Sequence, residues 1–168
     1  MNAIVTRKGP RTLELDERAQ KFARSLQHTQ LDAGHYLYAL ATSPARERHV
    51  HSFNVFMDYE LSYIRSVMNR SMLSDGNRSS RDTLPLTQAG ETMMKVASFM
   101  ALKRHSDKPE PAGAKLHPND FVVGVLLSGS ESVDTIVRKQ GVPIAAILRA
   151  RNIVLPPQVS EMLVRAGA

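Results

Sequence analysis

The sequence predicts an all-α protein made of two tandem four-helix repeats, and three observations carry that expectation. The run Leu31-Asp32-Ala33-Gly34-His35-Tyr36-Leu37-Tyr38-Ala39-Leu40 returns in altered form as Leu116-His117-Pro118-Asn119-Asp120-Phe121-Val122-Val123-Gly124-Val125-Leu126-Leu127. Self-similarity of this kind outranks any single residue as a sign of architecture. Apolar residues also recur at helical rather than alternating spacing. Finally, 42% hydrophobic content with only 5% aromatics, eight Met and no Trp suits helices packed through aliphatic and thioether side chains.

Taken in order, residues 1–12 read as a flexible N-terminus, with charges at Arg7, Lys8 and Arg11. From Glu14 to His28, the positions Leu15, Ala19, Phe22, Ala23 and Leu26 share one helical face, while Arg18, Lys21 and Arg24 point to solvent. A second, apolar helix starts near His35. Ser43-Pro44 predicts the start of a third, because a Ser side chain can accept from an orphan N–H and Pro has no N–H to orphan. Val50, Phe53 and Met57 are spaced as its buried stripe, and Leu61, Ile64 and Met68 as that of a fourth helix, closing the first repeat at 13–72.

Residues 73–83 are rich in turn formers and read as a linker. In the second repeat, 84–155, Ala89, Met93, Val96, Ala97 and Met100 line the first helix and His117-Pro118 opens the second. Val133, Ile136 and Val137 mark the third, and Ile144, Ile147 and Leu148 the fourth. Residues 103–115, with Pro109, Pro111 and Gly113, read as a mobile basic loop within this repeat. Pro156-Pro157 stops the last helix, since neither Pro donates and each disfavours a helical predecessor. Residues 156–168 then form a tail or short helix.

Order, spacing and duplication together resemble the double N-terminal domain of the Clp unfoldases, in its ClpA-like branch. The matching pieces are Leu13-Glu14-Leu15, Phe22-Ala23-Arg24, Ser43-Pro44-Ala45-Arg46-Glu47 and Leu84-Pro85-Leu86-Thr87, and the likeness spans residues 13–155. The family's repeat carries an Ile-Thr-x-Glu-His-Leu-Leu-Leu-Ala-Leu-Leu stretch, on which His35 falls at the place of a packing histidine. The resemblance implies two four-helix repeats related by a pseudo-twofold axis. It also implies a protein-interaction module that binds substrates or adaptors for a Clp-type AAA+ unfoldase or protease. In relatives an acidic residue often precedes that His and helps to dock adaptors or phosphorylated arginine. Gly34 and Asn119 stand there in this chain, so a carboxylate-based pocket is not expected.

The residues bound the chemistry further. There is no Cys, and hence no disulfide, thiolate metal site or Cys nucleophile. No Gly-x-x-x-x-Gly-Lys-Ser/Thr cradles a nucleotide, and Ser128-Gly129-Ser130-Glu131-Ser132 reads as a capped helix–helix turn rather than a nucleophile elbow. His49 and His51 point about 200° apart on a helix, which is no metal pair. No catalytic residue, metal site or cofactor is expected. His35 reads as structural, its ring bonded to a neighbouring loop, with Asp120 taking its place in the second copy.

No apolar run of signal-peptide or membrane-spanning length occurs, so a soluble cytoplasmic protein is the expectation. The net charge of +6 is spread over several segments without an aromatic platform, which ranks a basic helical nucleic-acid-binding protein as the alternative rather than the first reading. The expected partner-binding residues are Gln30, Asp32, Gly34, His117 and Asn119, on the loops leading into the second helix of each repeat, beside buried Leu31 and Leu116.

Overall fold

A computed structural model of the protein describes residues 7–43, 56, 58–72, 82–104, 114–142, 144–150 and 153–165. They form α1 (Pro10–Ser25), α2 (Ala33–Ala41), α3 (Leu61–Ser71), α4 (Gln88–Arg104), α5 (Pro118–Leu126), α6 (Glu131–Lys139), α7 (Ile144–Ala150) and α8 (Pro157–Arg165). The fold is all-helical. Among the described residues extended pairing is confined to two isolated parallel bridges, Lys8 with Leu116 and Leu31 with Leu86.

The two shortest-looking sequence motifs make the centre. In α2 every residue but Tyr38 is buried, and in α5 every residue but Asn119. A helix that is apolar all round belongs inside, and α2 accordingly packs against α1, α3, α4, α5 and α6. Tyr36 stacks on Phe121 across the α2–α5 contact, with ring centroids 5.5 Å apart. Each such ring taken fully out of water contributes about 1.5–3 kcal/mol. The longer α1 and α4 cover this pair from outside, α1 lying mainly on α2 and α4 on α5.

Close packing is bought with missing side chains. A Cβ at Gly124 of α5 would fall 2.6 Å from the Met93 carbonyl oxygen of α4, and one at Gly90 would fall 2.7 Å from the Leu31 carbonyl oxygen. Helix ends follow the local chemistry. Pro10 and Pro118 occupy first turns, Ser130 accepts from Val133 N–H as the cap of α6, and Gly129 before it takes a φ of 69° that favours glycine. α6 also carries Glu131 and Asp134 in its first turn and Arg138 and Lys139 in its last, matching its dipole.

The α1 stripe Leu15, Ala19, Phe22, Ala23 and Leu26 is buried as its spacing predicts, as are Val133, Ile136 and Val137 on α6. The terminal helix is present as α8, whose Val159 packs with Val96 and Val123. Two expectations need correction. The α3 stripe is Ile64, Val67 and Met68, whereas Leu61 is 41% exposed, because it is the first residue of the helix and has no earlier turn to pack under. Lys103 and Arg104 are not loop residues but the last turn of α4, where cations suit the C-terminal dipole. The expected third helix from Pro44, with Val50, Phe53 and Met57, lies outside the described residues, as do His49, His51 and the core of the 73–83 linker.

Candidate functional site

Two loops deliver the central helices, and each is pinned through a leucine. Leu31 N–H donates to the Pro85 carbonyl at 2.7 Å, and the Leu31 carbonyl accepts from Thr87 N–H at 2.9 Å. Leu116 N–H donates to the Arg7 carbonyl at 2.8 Å, and its own carbonyl accepts from Gly9 N–H at 3.4 Å and from the Thr12 hydroxyl at 2.8 Å. Both leucines are buried, at 1% and 0% exposure. Each loop is thus tied to the segment just ahead of the other long helix.

At the start of α2 the polar groups turn inward. Asp32 is buried, and its carboxylate accepts from Gly34 N–H at 3.1 Å and from the hydroxyls of Thr87 at 2.8 Å, Ser130 at 2.5 Å and Ser132 at 3.0 Å. Those donors come from the starts of α2, α4 and α6, so one carboxylate knots three helix N-termini together. Burial alone would raise its pKa; the bonds from Ser130, Gly34, Thr87 and Ser132 more than offset this and hold it below the usual carboxylate value. His35 is fully buried. Its Nδ1 accepts from Asp32 N–H at 2.8 Å, and its Nε2 lies 2.9 Å from Nδ1 of His28, itself buried. Burial, and next the neighbouring His28, push the His35 pKa down to about 4 against the pull of Asp32; burial likewise lowers that of His28.

At the start of α5 the same residue types stand in reverse order. Here His117 is the exposed cap residue and Asp120 the buried one. Asp120 accepts from His117 N–H at 2.8 Å and from the Arg104 guanidinium at 2.7 Å, and Arg104 also donates to the Lys115 carbonyl at 3.1 Å. Exposed Arg7, Arg11 and Lys115 surround this corner, with Lys8 held 3.0 Å from Asp16. At the α2 corner Gln30, Pro85 and Gln88 are exposed and Thr29 is half-buried.

Of the five residues expected to bind a partner, Gln30, His117 and Asn119 are exposed at these corners, whereas Asp32 and Gly34 are buried. Gly34 corrects its sequence reading. A Cβ there would meet the Met68 sulfur at 2.3 Å and the Ser132 Oγ at 2.7 Å, so its smallness serves α3 and α6 rather than an incoming partner. His28, Thr87, Ser130 and Ser132 were missed as members of the knot. Asp32 and Ser130 are 98 positions apart, and no local pattern joins them. A readable signal did exist in the paired Asp32-x-x-His35 and His117-x-x-Asp120, each with the spacing of a reciprocal helix cap.

Among the described residues no group of three His, Asp or Glu is placed to hold a metal ion, and no helix is long and apolar enough to cross a membrane. Asp32 has both oxygens engaged by the knot, which leaves it a structural rather than a proton-transferring role.

No protein-family profile and no curated protein matches the chain. Its fold is similar to that of a solved structure described as "Preliminary structural investigations of a malarial protein secretion system". The TM-score is 0.60 and the identity 19%, with 86% of this chain and 94% of that one covered. At that identity the likeness is one of helical fold.

Proposed function

We propose that the chain is a Clp-N-like protein-interaction module, two four-helix repeats related by a pseudo-twofold axis, that binds substrates or adaptors for a Clp-type AAA+ unfoldase or protease. The observation that carries the reading is the reciprocal pinning of the two loops. Arg7 to Gly9 hold Leu116 as Pro85 to Thr87 hold Leu31, the exchange that a duplicated unit with swapped contacts would make. The helices α1 and α4, and α2 and α5, then occupy equivalent places. The description of the structural neighbour, a protein secretion system, agrees with a protein-handling role.

The outer face of the two loops is the docking surface on this reading, with Gln30, His117 and Asn119 outward and Asp32 and Gly34 supporting them from within. Around Leu116 the exposed Arg7, Arg11 and Lys115 favour an acidic protein segment, because opposite charge steers encounter and fixes register. The tagged chain should retain a Clp-type unfoldase, one of its adaptors or its substrates from native lysate, and the purified partner should then bind it saturably. If none of the three is retained, the proposal is overturned.

The same cations favour one other reading, nucleic-acid binding. It requires affinity for duplex DNA that falls with salt by a log–log slope of about 0.9 for each phosphate contacted. Binding that is tight near physiological salt would put that reading first.

A further inference from the structure

We propose that the His28–His35 pair is an acid-released clasp on the start of α2, a conformational device that does not depend on which partner the chain binds. The hydrogen bonds fix the tautomers. Asp32 N–H donates to His35 Nδ1, so that nitrogen carries no proton and the neutral ring must carry its proton on Nε2. Nε2–H then donates to His28 Nδ1, 2.9 Å away, which leaves the His28 proton on its own Nε2. The result is a one-way chain from the backbone of Asp32 through two neutral rings. It ends on a buried N–H, His28 Nε2, that has no hydrogen-bond partner among the described residues.

Such a chain has no place for another proton. A cationic His35 would set an N–H against Asp32 N–H, and a cationic His28 would set one against His35 Nε2–H. Either event breaks a junction, and the backbone end cannot reverse. The groups around the rings do not offset this. Asp32 is the carboxylate that faces them, and it is already engaged by Ser130, Ser132, Thr87 and Gly34. From α1, Phe22 sets its ring at a steep angle to His35, with centroids 5.8 Å apart, and Arg24 donates to the Asp82 carbonyl. From α3, Arg65 lies 5.9 Å from the Phe22 centroid and donates to Ser25. α4 and α6 present the hydroxyls of the knot. Protonation of His35 therefore releases it from Asp32 and frees the first turn of α2, next to the carboxylate that ties α2, α4 and α6, and protonation of His28 breaks the link between the rings.

Opening exposes rings of ordinary affinity for protons, so for a single ring the opening equilibrium should rise about fifteenfold between pH 6.5 and pH 5. Two measurements on the whole chain test this. Proton–nitrogen correlation spectra of the histidine rings should show His28 and His35 as neutral Nε2–H tautomers at pH 7. Amide exchange of Gly34 and His35, corrected for intrinsic rate, should lose at least tenfold of its protection from pH 7 to pH 5, while Asp120 N–H loses less. In His35→Gln, whose side-chain oxygen can accept from Asp32 N–H without titrating, the loss of protection between pH 7 and pH 5 should shrink, since only the His28 ring is left to titrate. A proton on Nδ1 of either ring, or protection at Gly34 and His35 that does not change with pH, overturns the proposal. The wild-type spectra decide the matter should the variant fail to fold.

Discussion

The starts of α2 and α5 perform one task with the same two residue types in opposite order. Each must satisfy the orphan N–H groups of a helix that runs through the centre of the protein. At α2 the carboxylate of Asp32 sits at the cap and the imidazole of His35 three residues on, and both are sealed from water. At α5 the imidazole of His117 sits at the cap, exposed, and the carboxylate of Asp120 three residues on, where Arg104 reaches it. Exchanging the two moves the polar chemistry from inside to outside. The first corner becomes an internal knot of hydroxyls and neutral rings, and the second a charged corner in a basic setting. One is built to hold helices, and the other faces what arrives from solvent.

Gly34 and Asn119, each the second residue of its helix, give this contrast its sharpest break. Gly34→Arg must displace Met68 and Ser132, and we expect it to cost more than about 3 kcal/mol or to prevent folding, the upper end of overpacking penalties. Asn119→Arg, on an exposed site, should stay within about 0.5 kcal/mol. Urea denaturation of the pair reads both; similar costs would erase the inside–outside distinction.

Acid should separate the corners next. The folded-state pKa of His35 is about 4, below the ordinary value of 6.5, and that of His28 is also lowered. The unfolded chain therefore binds protons first, so the stability from these rings is complete above about pH 6.5 and is lost as pH falls towards 4. For His35 alone the loss is roughly 3 kcal/mol. Asp32, whose pKa is lowered too, adds a further loss below the carboxylate range. Denaturation midpoints at pH 7, 6 and 5 check this, and midpoints unchanged down to pH 5 would contradict it.

The smallest effect is at the other corner. Arg104→Met removes a charged donor from buried Asp120 while keeping the apolar stem, and should cost about 1–2 kcal/mol. Thermal melts at pH 7 check this, and an unchanged melting temperature would contradict it.

Periodicity made most of the helices legible, because a stripe such as Leu15, Ala19, Phe22, Ala23 has one physical meaning. The burial of Leu31 and Leu116 was legible from their recurrence. Leu61 fitted a stripe by spacing yet lies at a helix start, and spacing does not say where the helix begins. Lys103-Arg104 resembled loop by charge, although the same charges complement a helix C-terminus. The knot was hidden for two reasons. Its donors Thr87, Ser130 and Ser132 are far from Asp32 in the chain, and a glycine reads alike whether it opens a surface or lets two helices close upon it. Gly34 does the second.

The proposed division of labour, outward residues binding and inward residues holding, is tested most directly by partner affinity at the α5 corner. Asn119→Asp combined with Lys115→Glu reverses the local charge without touching the core. Calorimetric titration against the Clp-type partner retained by the wild-type chain should show affinity reduced at least tenfold, with circular dichroism and melting temperature unchanged. Affinity equal to wild type in that folded variant would contradict the account.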